Sequence, residues 1–246
     1  MPNSSPLVLG HRGAAAVAPE NTLAGVRAAA QAGADGVEFD VQLSRDGVPV
    51  VLHDERLDRT TDGRGPVSKR TLGELKALDA GSWFSPRFRG ERIPTLDEVL
   101  HLSRQLGLRC YVELKNNRKR YPGLETKVLA ALRGFRMAER CWIASFNLAS
   151  VQRVHRLAPY QDALWICSRF PGPIGRRRAR GTVGGLAVLH RSITPRRMAI
   201  AERAGFRVFA WTVNEERDIR RMLHLPLAGI VSDDPGRVRK VVGLPH

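Results

Sequence analysis

Two carboxylates spaced two apart, Glu38 and Asp40, lie in the apolar run Gly36-Val37-Glu38-Phe39-Asp40-Val41-Gln42-Leu43, and His53 follows a second run, Val48 to Leu52. Alternation along a strand puts residues two apart on one face, so both acids point one way while Val37, Phe39 and Val41 point the other. The β-propensity of this run would bury it on both sides. Like carboxylates buried together repel unless a cation lies between them or one takes up a proton. That favours metal ligation over a solvated strand face.

Asp46-Gly47 separates the two runs, which reads as a hairpin closed by a two-residue type I′ turn. Pairing Arg45 with Val48 places Asp40 opposite His53. A later run, Tyr111-Val112-Glu113-Leu114-Lys115, again carries polar residues on one face, Glu113 and Lys115. Three carboxylates make a hard oxygen set suited to Mg²⁺ or Ca²⁺; zinc would ask for thiolates or clustered histidines. His11 and Arg12 follow the short run Leu7 to Gly10. Two imidazoles can supply an acid and a base near neutral pH, while Arg12 and Lys115 would face an anionic substrate. Together these groups suit in-line attack on a phosphodiester.

Such residues need a scaffold that brings distant strand ends together. The chain alternates strand-like and helical stretches: Leu7–Gly10, the hairpin, then strands over Arg109–Lys115, Cys141–Phe146, Ala163–Cys167, Leu186–His190, Phe206–Thr212 and Ala228–Ser232. Helices are expected over Thr22–Ala32, Thr95–Gly107, Leu124–Phe135, Leu148–Leu157, Pro195–Ala204 and Glu215–Leu223. Leaving out the antiparallel return arm, eight strands remain, which predicts a (β/α)₈ TIM barrel of the α/β class. An open doubly wound sheet would need a Gly-rich phosphate turn after its first strand, and none is present. In a barrel, His11, Arg12, Glu38, Asp40, Glu113, Lys115, His190 and Trp211 meet at the mouth. Glu55 to Pro94 breaks the period and reads as an insertion, with a short helix over Thr71–Leu78, that covers the mouth.

A chain of 246 residues with 43% hydrophobic content suits one domain. Cys110, Cys141 and Cys167 each sit in an apolar run, so they are expected to be buried and reduced, as in a cytoplasmic protein. Met1 to Gly10 has no signal-segment pattern and no run reaches membrane-span length, so a soluble protein is expected. The formal charge is +16, with nine arginines against one acid, Glu202, between Pro171 and Arg207. Such a patch suits nucleic acid, anionic lipid or a phosphate-bearing substrate. No aromatic interleaving accompanies it, which argues against nucleic acid, and an arginine-rich GC-biased coding sequence would produce it without selection. Arg176 to Arg180 reads as a Gly-rich loop that aids encounter with anions.

The ordered set His11-Arg12-Gly13, Pro19-Glu20-Asn21-Thr22, Glu38-Phe39-Asp40-Val41, His53-Asp54, Arg59-Thr60-Thr61, Asp79-Ala80-Gly81-Ser82-Trp83, Pro94-Thr95-Leu96, Glu113-Leu114-Lys115, Ser145-Phe146, Trp211-Thr212-Val213-Asn214 and Ser232-Asp233 resembles the glycerophosphodiester phosphodiesterase family along nearly the whole chain. The resemblance implies a barrel with an insertion after the second catalytic histidine. It also implies a divalent metal and hydrolysis of small-molecule glycerophosphodiesters to an alcohol and sn-glycerol 3-phosphate. By position it makes Glu38, Asp40 and Glu113 metal ligands, His11 and His53 the acid-base pair, Arg12 and Lys115 phosphate contacts, and Phe146 and Trp211 the glycerol side. It further implies a two-step route through a cyclic phosphate. Glu20 and Asn21 are read as buttressing the mouth, with Asn21 capping the first helix. Ser168 to Gly185 departs from the family pattern. The competing readings are a related barrel phospholipase acting on intact lipid and a non-catalytic anion-binding protein; three acids would hinder the latter.

Overall fold

The computed structural model describes residues 5–116 and 119–243; Met1 to Ser4, part of the stretch read for a signal segment, lie outside them. In chain order the strands are β1 (Leu7–Gly10), β2 (Gly36–Leu43), β3 (Pro49–Val51), β4 (Arg109–Leu114), β5 (Cys141–Ser145), β6 (Ala163–Cys167), β7 (Gly185–Leu189), β8 (Arg207–Trp211) and β9 (Gly229–Ser232). The helices are α1 (Leu23–Gln31), α2 (Leu72–Lys76), α3 (Leu96–Gln105), α4 (Leu124–Gly134), α5 (Leu148–Leu157), α6 (Pro173–Ala179), α7 (Pro195–Arg203), α8 (Glu216–Leu223) and α9 (Pro235–Val242). Parallel pairing runs β1-β9-β8-β7-β6-β5-β4-β2, and β1 closes on β2 through Leu9 opposite Gly36. This is the closed (β/α)₈ barrel expected from the alternation. β3 is the antiparallel arm on β2.

Strand alternation sorts the two faces. On β2, Val37, Phe39 and Val41 point outward into the main core with Val26, Val99 and Leu100. On β4, Cys110, Val112 and Leu114 do the same. The inward residues lower in the barrel, Leu9, Trp142, Leu164, Phe209 and Val231, form an apolar plug that leaves only the strand C-terminal ends for polar groups. The cysteines are free and buried.

Helix starts follow their caps. Thr95 accepts from Glu98 N and Glu98 reaches back to Thr95 N, a capping box that fixes α3 at the end of the insertion. At α1 the cap is Thr22, which accepts from Gly25 N. Asn21, expected there, instead adopts φ 57 and turns its side chain toward β2.

The hairpin differs from the expected one. The register pairs Val41 with Val51 and Gln42 with Val50, so Leu52, whose N–H donates to Asp40 O at 3.0 Å, stands opposite Asp40. Ser44 pairs with Val48 across a three-residue loop in which only Gly47 has positive φ, 76°. Asp46 is held by Ser44 Oγ and by Leu72 N, which keeps it out of the left-handed region that a type I′ turn requires.

Three further differences concern helices. The short helix expected over Thr71–Leu78 spans Leu72–Lys76 behind a Thr71 capping box. Arg176 to Arg180 is not a flexible loop: Pro173 opens α6, which runs to Ala179. After the last strand, Asp234 caps and Pro235 opens α9, an unexpected closing helix. The excursion between β3 and α3 has its own core, in which Val50 and Leu52 meet Leu57, Val67, Leu75, Ala80 and Ile93. Its arginines reach the barrel rim, Arg87 donating to Val17 O at 2.7 Å.

Gly13 meets both a conformational and a packing requirement near the mouth. It has φ 92, and a Cβ there would lie 2.5 Å from the Gly25 carbonyl carbon. Gly13→Ala is expected to lower stability by about 1–3 kcal/mol through strain and displacement of α1, measured by urea unfolding. An unchanged midpoint would refute the packing argument. Among the described residues no helix is long and apolar enough to cross a membrane.

Candidate active site

Glu38 and Asp40 project inward from β2, and the register sets Asp40 beside Glu113 on β4. One carboxylate oxygen from each of the three lies within 4.8 Å of the others, and all three side chains are buried. Two cations lie against them. Lys115 Nζ is 2.9 Å from Glu113 Oε1 and 3.3 Å from Asp40 Oδ1, and Arg12 Nε is 3.6 Å from Asp40 Oδ2. Asn21 Nδ2 donates to Asp40 Oδ2 at 2.8 Å, and Arg12 N donates to Glu38 Oε2 at 2.9 Å. Arg12 and Asn21 both have left-handed φ, 51° and 57°, a conformation costly for non-glycine residues and held here by these bonds.

The charges do not cancel evenly. Burial, with Asp40 close by, pushes Glu38 up to about 8 and Glu113 up to about 7. Burial also opposes ionisation of Asp40, but Lys115 and Arg12 outweigh it and hold Asp40 well below the usual carboxylate range. The cluster therefore keeps protons that a hard divalent cation would displace. Three buried oxygen donors without thiolate or imidazole fit such a cation.

Each histidine is fixed through Nδ1. His11 Nδ1 is 2.6 Å from Asp233 Oδ1, whose other oxygen accepts from Asn214 Nδ2 at 2.5 Å. Its Nε2 faces inward, 3.9 Å from Glu38 Oε2. His53 Nδ1 is 2.6 Å from Asp54 Oδ1. Arg59, from the excursion, clamps Asp54 Oδ2 at 2.7 Å and Glu20 Oε2 at 2.7 Å. Glu20 in turn accepts from Arg12 Nη1 at 2.8 Å. Burial disfavours a charged His11, yet the Asp233 hydrogen bond and nearby Glu38 outweigh it and raise its pKa. For His53 burial wins over the attraction of Asp40, and its pKa is lowered.

His11, Arg12, Glu38, His53 and Glu113 line one cavity with Phe146 and Trp211. The two rings meet edge to face at 5.6 Å and 89°, and Trp211 Nε1 is tied to Ala187 O at 3.0 Å. Lys115 and Asp40 stand beside that cavity through their carboxylate contacts. The structure thus brings together the nine residues expected as metal ligands, acid and base, phosphate contacts and glycerol wall. His53 reaches the mouth from just beyond β3, not from a ladder position opposite Asp40. His190, expected at the mouth, does not join them: β7 ends at Leu189, and His190 Nδ1 is 3.1 Å from Arg221 Nη2 and 3.6 Å from Asp218 Oδ1 on α8.

Asp54, Asp233 and Tyr111 carry no role in the sequence reading. Tyr111 was findable, since it lies two before Glu113 on the same strand face and lines the cavity. Asp54 adjoins His53, but Asp233 is 222 positions from His11 and only barrel closure joins them.

The chain matches the glycerophosphoryl diester phosphodiesterase family over residues 11–237. It is 39% identical over 231 residues, 93% of this chain and 94% of its relative, to a glycerophosphodiester phosphodiesterase of Caldanaerobacter subterraneus subsp. tengcongensis. A phosphodiesterase of Oleispira antarctica, solved with the product sn-glycerol-3-phosphate, superposes with a TM-score of 0.86 at 33% identity, covering 98% of each chain. A glycerophosphodiester phosphodiesterase from Agrobacterium tumefaciens str. C58 gives 0.84 at 31% identity, over 96% of this chain and 99% of that one. These likenesses set aside a purely anion-binding role. With its closed barrel and buried acidic cluster, the chain belongs to the glycerophosphoryl diester phosphodiesterase family and is a hydrolytic enzyme.

Proposed function

We propose that this enzyme hydrolyses glycerophosphodiesters, the deacylated phospholipids, to an alcohol and sn-glycerol 3-phosphate, using Glu38, Asp40 and Glu113 to hold Mg²⁺ or Ca²⁺ and His11 and His53 as acid and base. The observation that carries the reading is the pair of Asp-fixed imidazoles lining the cavity that also takes in Glu38 and Glu113 of the carboxylate cluster. The relative solved with sn-glycerol-3-phosphate supports the product. When bound, the cation would neutralise charge on the phosphate oxygens.

The chain's own groups do the rest. Arg12 Nε is buried without a hydrogen bond and is available to a phosphate oxygen, as is the Lys115 ammonium. Phe146 and Trp211 wall the side that takes the glycerol carbons. In the first step His53, whose burial lowers its pKa and favours the neutral base, takes the proton of a glycerol hydroxyl as its oxygen attacks phosphorus. His11, whose Asp233 hydrogen bond and Glu38 neighbour favour the protonated acid, gives its proton to the departing alcohol oxygen. The roles reverse when water opens the cyclic phosphate, returning both imidazoles to their starting states. The whole described chain is taken as one domain, with residues 55–94 as an insertion supplying Arg59. Its free buried cysteines suit a reducing compartment such as the cytoplasm.

Release of glycerol 3-phosphate from a panel of glycerophosphodiesters, with and without chelator, tests the reading. No release from any member would overturn it. Asp233 offers a second test. Because Asn214 Nδ2 donates to Asp233 Oδ2, Asp233→Asn must turn its oxygen toward Asn214 and its NH₂ toward His11 Nδ1. That imposes the wrong tautomer, and kcat is expected to fall on the order of 10²-fold or more with KM little changed. Steady-state kinetics of the variant give the answer; an unchanged kcat would remove Asp233 from the machinery.

A further inference from the structure

We infer that the face built by α6, α7 and the segments leading into them docks the enzyme on an anionic lipid surface, with the barrel mouth turned toward that surface. From Ala163 to Ala201 the chain contains no Asp or Glu but carries eight arginines. The guanidiniums of Arg169, Arg177, Arg178, Arg180 and Arg196 make no ion pair or hydrogen bond among the described residues. Elsewhere the arginines near acids are paired, as Arg207 is with Asp162 and Arg239 with Asp35. This positive charge is therefore uncompensated and faces outward.

The two helices form one face. Phe170 N donates to Ser192 Oγ at 2.7 Å, and Arg176 lies over the Phe170 ring at 5.8 Å. The segments before α6 and α7 leave β6 and β7 at their C-terminal ends, where Ile166 of β6 and Trp211 of β8, the partner of Leu189 at the end of β7, line the active-site cavity, so the face borders the mouth. Ile174, in the first turn of α6, is 71% exposed and exceeds every other exposed large hydrophobic side chain described. Guanidiniums around a projecting aliphatic group match the boundary between anionic headgroups and acyl chains. Nucleic acid would call for exposed aromatic or base-reading groups, whereas Phe170 is half-buried.

The test is co-sedimentation of the full chain with vesicles of phosphatidylcholine alone or with about a third phosphatidylglycerol. Binding is expected only to the second, weakening as salt rises. The triple change Arg177→Glu, Arg178→Glu and Arg196→Glu should lower partitioning on the order of 10²-fold or more, leaving turnover of soluble glycerophosphocholine unchanged, which also shows that the variant is folded. Ile174→Ser should weaken binding at constant charge. Equal binding to both vesicles would overturn the inference. So would full retention by Ile174→Ser combined with equal competition from an oligonucleotide, which would make the face a general polyanion surface.

Discussion

Exhaustive chelation is expected to abolish turnover, and Mg²⁺ or Ca²⁺ to restore it. Lys115 and Arg12 are too few to balance Glu38, Asp40 and Glu113, and the shortfall is met by protons on the carboxyls pushed up to about 8 and about 7. A divalent cation must displace those protons, so its affinity should rise with pH up to about pH 8, and binding near pH 7 should release protons measurable by calorimetry in buffers of different ionisation enthalpy. The same groups govern stability. Their folded pKa values lie above those of the unfolded chain, so the metal-free fold binds more protons than the unfolded chain across this window. Its stability is full below the unfolded carboxyl pKa and declines as pH rises through about 7 to 8. A thermal midpoint that falls over this range in chelator, and holds when metal is added, is the expected pair of curves. Glu38→Gln should flatten the metal-free curve while removing activity. Full activity after exhaustive chelation would sink the metal assignment.

How far the site could be read from sequence depended on how local its causes are. Glu38, Asp40 and Glu113 were legible because strand alternation is a property of neighbouring residues, and the outward faces of β2 and β4 bear it out. The hairpin register was not, because the Asp46 carboxylate is taken by Leu72 N, 26 residues away, and that bond selects a three-residue loop over the two-residue turn that Asp46-Gly47 suggests. His53 still reaches the mouth since it lies past the end of β3, where one position of register matters less. His190 fails for the opposite reason. Its strand ends one residue sooner, and Arg221 and Asp218 on α8 capture the ring. In α6, glycine and arginine composition hid the stronger signal of Pro173 at the first helical position. Asp234-Pro235 carried the equivalent signal for α9.

Replacing either imidazole is expected to lower kcat on the order of 10² to 10⁴-fold while metal binding is largely retained. Neither ring is among the three carboxylates whose oxygens converge, so cation affinity and turnover should separate in His11→Ala and His53→Ala. The proposed roles give the two residues different tasks. His11 follows the first strand and is fixed by Asp233, which follows the last, while His53 lines the same cavity and is fixed by Asp54. With His11 raised and His53 lowered, the pH profile of kcat/KM should be a bell. The acidic limb reports His53, which must be neutral to take a proton, and the alkaline limb reports His11, which must be protonated to give one. His53→Ala should therefore lose the acidic limb and keep the alkaline one, and His11→Ala should do the reverse. A substrate with a good leaving group such as p-nitrophenol needs no proton at the departing oxygen, so it should recover much of the rate lost in His11→Ala and little of that lost in His53→Ala. Equal recovery in both variants would reverse or dissolve the assignment, and near-normal turnover of the natural diesters by either one would remove that histidine from the chemistry.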